Sequence, residues 1–193
     1  MKRVCVFCGA NAGTRGVFRD AAATLGRVLA ERGLGLVYGG ASIGLMGALA
    51  DAARAAGGEV IGVIPQALMA REIAHPHLAD LRVVGSMHER KALMADLADG
   101  FITLPGGIGT LEEFFEVWTW AHLGLHTKPC ALLNIAGFYS KLEAFINQVD
   151  DDGFLRQGVR DMVLIDDDAH RLIDAMLAYR AAPTPKVLTR TQT

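Results

Sequence analysis

Short runs rich in valine, isoleucine and leucine alternate along this chain with segments of helical periodicity. The runs are nearly continuous in apolar residues, which is typical of strands covered on both faces of a parallel sheet. After the first run, apolar residues recur at i, i+3, i+4 spacing over 18–29, as in an amphipathic helix. We therefore predict an α/β fold with a doubly wound parallel sheet of about seven strands and helices on both faces. The predicted strands are VCVFC, LGLVY, EVIGVI, LRVVG, DGFITL, PCALLN and MVLID.

Length and composition fit one domain with a single core. The chain has 193 residues, of which 51% are hydrophobic and 21% charged, and its formal net charge is -2. This balance argues against a nucleic-acid partner, because such proteins carry a strongly basic face. The apolar runs are too short for a membrane span or a signal peptide. We expect a cytoplasmic protein with one domain over 1–181 and a flexible tail over 182–193.

The spacing of Cys5 and Cys8 forms a C-x-x-C pattern, which in other proteins binds a metal or closes a redox disulfide. Here both cysteines lie in the first predicted strand, where side chains three apart point to opposite faces. We therefore predict two buried structural cysteines. We expect neither a metal site nor a cofactor.

Three glycine clusters each follow a predicted strand. Ligands of open parallel sheets bind beyond the carboxyl ends of the strands. We therefore expect the clusters to gather along one edge of the sheet. They are Gly9 and Gly13, then Gly39, Gly40 and Gly44, then Gly106, Gly107 and Gly109.

The third cluster lies in LPGGIGTLEE, where a glycine-rich turn leads into a helix. Such a turn offers unpaired N–H groups and the positive end of the helix dipole, which together bind phosphate. Neither the Walker pattern nor the dinucleotide fingerprint is present, so a mononucleotide or a sugar phosphate is the favoured ligand. A purely structural alternative is a capping box, with Thr110 as N-cap and Glu113 as its third helical residue.

PGGIGTLEE, together with MHERK at 87–91, resembles the Lonely guy family of cytokinin riboside 5'-monophosphate phosphoribohydrolases, once labelled lysine decarboxylases. The segments VYGGASIGLMGALADAA, Arg71-Glu72-Ile73 and Thr119-Trp120-Ala121 also fit the family pattern. The resemblance implies a Rossmann-like homodimer without cofactor. Its implied activity is hydrolysis of the N-glycosidic bond of adenine-type nucleoside 5'-monophosphates, including AMP, to free base and ribose 5-phosphate.

The resemblance also assigns roles to individual residues. Glu113, the last position of P-G-G-x-G-T-x-x-E, would stabilise the oxocarbenium-like sugar or take a proton from water. Arg90 would bridge substrate and acid. Glu112 would hydrogen-bond sugar or base, Lys91 would add positive charge, and Glu72 would make a further polar contact. The expected substrate contacts are Glu72, Met87, Arg90, Lys91, Gly106, Gly107, Ile108, Gly109, Thr110, Leu111, Glu112 and Thr119.

Other interpretations stay open at this point. The segment 40–44 matches the G-x-S-x-G nucleophile elbow around Ser42, and Asp166–Asp168 and His170 follow in the order of a serine hydrolase. A nucleotide-binding sensor without catalysis is equally compatible with the fold. For the expected homodimer, Trp118 and Trp120 are predicted to reach the subunit contact, with the rest of the aromatic stretch in the core.

Overall fold

The computed structural model describes residues 1–69 and 73–181, and within them seven strands form one parallel sheet. All seven predicted strands are confirmed. They are β1 (Arg3–Phe7), β2 (Gly35–Tyr38), β3 (Val60–Pro65), β4 (Asp80–Val84), β5 (Gly100–Thr103), β6 (Cys130–Leu133) and β7 (Val163–Asp166). Their order across the sheet is β4-β3-β2-β1-β5-β6-β7, which is the doubly wound arrangement.

Helices cover both faces of this sheet, as the apolar strands predicted. They are α1 (Gly16–Glu31), α2 (Gly44–Ala55), α3 (Met87–Leu97), α4 (Ile108–His122), α5 (Ser140–Asp151) and α6 (Ala169–Ala178). One face carries α1, α2 and α6, and the other carries α3, α4 and α5. Helices α1 and α2 pack closely because Gly26 of α1 has no Cβ, which would overlap the Leu49 carbonyl.

The three cysteines are buried free thiols that belong to the core. Cys8 packs in the layer under α1 and α2, whereas Cys5 packs in the layer under α3 and α4, as predicted for opposite faces of a strand. Burial raises the pKa of the Cys130 thiol to about 12. These thiols are therefore protonated at neutral pH and suited to packing rather than to chemistry.

The sheet changes winding direction between β1 and β5. These two strands pair directly, with Val6 opposite Ile102 and Phe7 opposite Thr103, yet their connections run to opposite halves of the sheet. Such a switch point opens a crevice at the carboxyl ends of the strands. In the described ranges, no helix combines the length and apolar character required to cross a membrane.

Candidate active site

A cavity of about 460 Å³ lies at the carboxyl ends of β1, β2 and β5. Residues from all three glycine clusters line it, so the prediction that the clusters share one edge is confirmed. Gly44 lies directly behind the first loop, where an added Cβ would approach the Asn11 nitrogen to 2.7 Å. The absence of a side chain at Gly44 therefore lets the start of α2 pack against the first loop.

The loop after β5 joins the loop after β1 before it enters α4. The Gly9 N–H donates to the Pro105 carbonyl at 3.1 Å. A Cβ on Gly106 would lie 2.5 Å from the Thr110 Cβ, so the chain turns there against its own helix. Glycine is required at this position because any side chain would displace the first turn of α4.

Helix α4 begins at Ile108, with Gly107 as its N-cap, so the alternative of a capping box at Thr110 and Glu113 is wrong. Thr110 is the third residue of the helix and is buried against Gly106. Gly107 has no side chain that could bond the first-turn N–H groups. Because the first N–H groups of a helix lack intrahelical partners, the helix presents donors and its positive dipole end beside the cavity.

Arg90 lies in the cavity wall on α3 and is only 4% exposed. Its Nε donates to the Val63 carbonyl at 3.1 Å, and its Nη2 donates to the Gly39 carbonyl at 2.9 Å. Ser86 caps the start of α3 by accepting from the Glu89 N–H at 3.1 Å, which fixes the turn that carries Arg90. The guanidinium is thus held in place by the scaffold, rather than solvated on a helix surface.

Glu113 faces the same cavity from the first turns of α4. Glu113 and Arg90 both affect the pKa of the Cys8 thiol, which lies in the cavity lining. Burial raises the pKa of Cys8, the negative charge of Glu113 raises it further, and the positive charge of Arg90 opposes both. A carboxylate and a guanidinium therefore lie within electrostatic reach of one point beneath the cavity.

Lys91, the neighbour of Arg90, connects α3 to α4. Its Nζ donates to Glu112 Oε1 at 2.6 Å and to Glu116 Oε1 at 2.9 Å, and its side chain is 10% exposed. Burial by itself lowers the pKa of Lys91, but the hydrogen bonds to the two carboxylates outweigh it and the pKa is raised. Lys91 therefore orders Glu112 at the cavity instead of lining the cavity itself.

The structure brings most of the predicted contacts together and leaves some apart. Ile108 points to solvent, Leu111 packs toward the α5 side of the core, and Glu72 lies outside the described residues. Thr119 lines a different groove. The predicted residues that line the cavity are Met87, Arg90, Gly106, Gly107, Gly109, Thr110, Glu112 and Glu113.

The groove that holds Thr119 is a second cavity of about 310 Å³ between α4 and α5, walled mainly by apolar side chains. Trp118 also lines this groove, although it is largely buried and its Nε1 donates to the Val159 carbonyl at 3.1 Å, so its place at a subunit contact stays a prediction. Trp120 packs partly against the core. The exposed aromatic residues of the groove are Phe115 and Phe145.

The sequence analysis missed an aromatic wall of the main cavity. Phe138, after β6, meets Phe18 of α1 edge to face, with 5.6 Å between the ring centroids. Both rings line the cavity. The signal available was the position of Gly137-Phe138-Tyr139 just beyond a predicted strand, at the edge where ligands bind.

The serine hydrolase interpretation is not supported by the geometry. Ser42 follows β2 and donates its hydroxyl to the Ile73 carbonyl at 2.7 Å. Asp166 and His170 lie at β7 and α6, and three strands separate β2 from β7. Four strand spacings place these groups about 19 Å apart, far beyond hydrogen-bond reach. Asp166 is instead paired with Arg171.

Comparison with known proteins gives one consistent family. A family model described as "Possible lysine decarboxylase" matches residues 46–176. The cytokinin riboside 5'-monophosphate phosphoribohydrolase LOG of Oryza sativa subsp. japonica is 49% identical over 178 residues, which cover 92% of this chain and 74% of the relative. The cytokinin riboside 5'-monophosphate phosphoribohydrolase LOG5 of Arabidopsis thaliana is 49% identical over 179 residues, which cover 93% of this chain and 78% of the relative.

Solved structures share the fold at lower identity. The molybdenum cofactor carrier protein MCP from Chlamydomonas reinhardtii superposes with a TM-score of 0.70 at 24% identity, over 92% of this chain and 99% of that one. The molybdenum cofactor binding protein from Rippkaea orientalis gives a TM-score of 0.69 at 21% identity, over 92% and 97%. At this level of identity the similarity concerns the architecture alone.

Proposed function

Since this chain belongs to the Lonely guy family, we propose that it hydrolyses the N-glycosidic bond of adenine-type nucleoside 5'-monophosphates. The products are the free base and ribose 5-phosphate. One observation carries the proposal: the start of α4, the buried Arg90 and the carboxylate of Glu113 meet at a single cavity. Each of these three supplies something that the reaction needs.

The phosphate is held at the start of α4. Backbone N–H groups at a helix N-terminus bind anions through hydrogen bonds and the helix dipole. Gly106, Gly107 and Gly109 let the anion approach the main chain closely because they lack side chains. This grip fixes one end of the nucleotide, so that the ribose lies over the next turn of the helix.

The ribose meets Glu113, one turn further along α4. Breaking the bond between sugar and base builds positive charge at the anomeric carbon. A carboxylate beside that carbon stabilises the charge and accepts a proton from the attacking water, which contributes about 10²- to 10⁴-fold in rate. Arg90, anchored to two carbonyls, provides a fixed cation that keeps the carboxylate ionised and contacts the nucleotide.

The base occupies the part of the cavity with apolar walls. Phe18 and Phe138, which contact each other edge to face, line this part, and an adenine ring gains by burial against such side chains. Glu112, tied to Lys91, offers a polar contact to the sugar or the base. We propose that both AMP and isopentenyladenine riboside 5'-monophosphate are substrates.

The protein acts as a homodimer in this proposal. The α4–α5 groove exposes Phe115 and Phe145, and an exposed apolar patch of this kind marks a contact surface. Thr119, which the resemblance places at the substrate, lies in this groove rather than at the cavity of its own subunit. A second copy packed on the groove would account for both observations. The cytoplasmic location stays a prediction from the sequence.

The direct test is incubation of the purified protein with each of the two nucleotides, followed by chromatography for the free base and ribose 5-phosphate. We expect release of both products from both nucleotides and little release from adenosine, which lacks the phosphate. Tight binding of AMP without base release would favour the sensor. Full activity of Ser42→Ala is expected, and its loss would revive the serine hydrolase.

A further inference from the structure

Two buried tyrosines lie at the carboxyl edge of the sheet, and each donates its hydroxyl to a carbonyl of a glycine-rich loop. Tyr38, at the end of β2, donates to the Ala41 carbonyl at 3.2 Å. Tyr139, after β6, donates to the Leu104 carbonyl at 2.7 Å. Both side chains are essentially inaccessible to solvent. The second of these bonds reaches the base of the loop that leads into α4.

The position of Tyr139 is fixed by its own loop. Its N–H donates to Asn134 Oδ1 at 2.7 Å, and the Asn134 N–H donates to the Asp166 carbonyl at 2.8 Å. Ala136 adopts a φ of 52°, a left-handed conformation that costs free energy in a residue with a Cβ. These hydrogen bonds fix the loop after β6, and with it the position of the Tyr139 hydroxyl beside the Leu104 carbonyl.

Two hydrogen bonds fix the direction of two carbonyl groups in the loop that leads into α4. Tyr139 engages the Leu104 carbonyl, and the Gly9 N–H engages the Pro105 carbonyl. These are the two carbonyls immediately before Gly106. With both held by donors of the protein, the loop cannot turn either oxygen toward the cavity, where it would repel an anion. The chain beyond Pro105 is then set to present N–H groups instead.

We propose that Tyr139 is a positioning residue for phosphate: its hydroxyl sets the geometry of the loop at 104–110 and thereby the affinity for the phosphate of the substrate. This inference rests on the proposed function, because it takes the start of α4 as the phosphate site. It extends that function to a residue that belongs to none of the motifs and does not line the cavity.

The experiment compares Tyr139→Phe with the matched control Tyr38→Phe. Each variant removes one buried hydroxyl and leaves one loop carbonyl without its donor, so the two have similar effects on stability. Affinity for ribose 5-phosphate is measured by calorimetry, and kcat and KM are measured with AMP and with adenosine. Thermal unfolding of each variant reports whether the fold is retained.

We expect Tyr139→Phe to weaken ribose 5-phosphate binding and to raise KM for AMP by about fivefold to tenfold, the effect of one buried hydrogen bond. The kcat for AMP should stay within about twofold, because a weaker bond to the phosphate lowers ground-state and transition-state binding equally. The kcat/KM for adenosine should also stay within about twofold, because adenosine has no phosphate. Tyr38→Phe should leave ribose 5-phosphate affinity unchanged. If Tyr139→Phe does not fold, Asn134→Ala, which releases the Tyr139 backbone, should weaken the same affinity.

An unchanged affinity in Tyr139→Phe, or an equal loss in Tyr38→Phe, would overturn the proposal. The calorimetric measurement of ribose 5-phosphate binding tests the role of Tyr139 independently of the proposed hydrolase activity. A wild-type protein that binds ribose 5-phosphate but releases no base would refute the hydrolase while still testing Tyr139. A wild-type protein that does not bind ribose 5-phosphate would count against both.

Discussion

Lys91 Nζ lies 2.6 Å from Oε1 of Glu112, so a carboxylate at the candidate active site is tied to the neighbouring helix by an ion pair. Glu116, one turn further along α4, holds the same ammonium at 2.9 Å. Two carboxylates four residues apart on one helix repel each other unless a cation lies between them. Lys91 thus reduces the negative charge beside a site that is proposed to receive a phosphate.

Replacement of Lys91 with methionine should impair substrate binding more than folding. The change keeps the length of the side chain but leaves Glu112 and Glu116 without their cation, so the anionic substrate meets stronger repulsion. We expect KM for AMP to rise about tenfold, since hydrogen bonds to charged groups contribute about 1.5–3 kcal/mol. Steady-state kinetics measure this. Lys141→Met, on the exposed face of α5, is the control and should behave as wild type.

The same ion pairs make a prediction for alkaline pH. The pKa of Lys91 is raised in the folded protein, because its hydrogen bonds to Glu112 and Glu116 exceed the opposing effect of burial. A lysine whose pKa is higher in the folded than in the unfolded protein stabilises the fold. This contribution is fully present below the pKa of the unfolded chain, about 10.4, and is lost as the pH rises through the pKa of the folded protein. Wild-type melting temperature should therefore fall more steeply than that of Lys91→Met above about pH 10. Parallel curves would contradict the assignment.

Glu113→Gln should separate catalysis from binding. The amide keeps the shape of the side chain but can neither accept a proton nor carry the negative charge, so we expect kcat to fall by about 10²- to 10⁴-fold. Ribose 5-phosphate affinity should be retained, because the phosphate is held by main-chain groups. Glu31→Gln, at the exposed end of α1, is a matched change and should have no effect. Normal turnover in Glu113→Gln would place the catalytic acid elsewhere.

Gly106 offers a test of the loop geometry. An added Cβ would lie 2.5 Å from the Thr110 Cβ, so Gly106→Ala should displace the start of α4. We expect a loss of about 1–3 kcal/mol in stability, as in other overpacked sites, together with weaker ribose 5-phosphate binding. Gly16→Ala, where an added Cβ meets no atom within 4 Å, is the control. The added Cβ would also overlap Oγ1 and Cγ2 of Thr110, which Thr110→Ala removes while keeping the Thr110 Cβ, so this change should partly rescue Gly106→Ala. Purely additive effects of the two changes would argue against the clash.

The sheet was predictable because each strand carries its own signal. Strands such as the one in EVIGVI are buried on both faces, so nearly every consecutive residue in them is apolar. The start of α4 was not predictable in the same way. Thr110 and Glu113 have the spacing of a capping box, yet Gly107 caps the helix, because the side chain of Thr110 packs against Gly106.

The parts of the site that sequence reasoning missed, or to which it gave another role, depend on contacts between distant segments. Lys91 follows Arg90 in the sequence, but its role is set by where α3 runs beside α4. Phe138 and Tyr139 belong to no motif that marks a phosphate site. Phe138 lines the cavity and Tyr139 donates to the Leu104 carbonyl, and both follow a left-handed Ala136 in the loop after β6. Such relationships become visible only when the packing of the helices and loops is known.

The apolar groove between α4 and α5 predicts the subunit contact. Phe145 lines this groove and is 60% exposed, so a glutamate there would bury a charge in the proposed interface. We expect wild type to sediment as a dimer and Phe145→Glu as a folded monomer. Phe154→Glu is the matched control: that ring is 82% exposed but does not line the groove, so the dimer should persist. Sedimentation velocity at micromolar concentration distinguishes these states, and a dimeric Phe145→Glu would move the contact to another face.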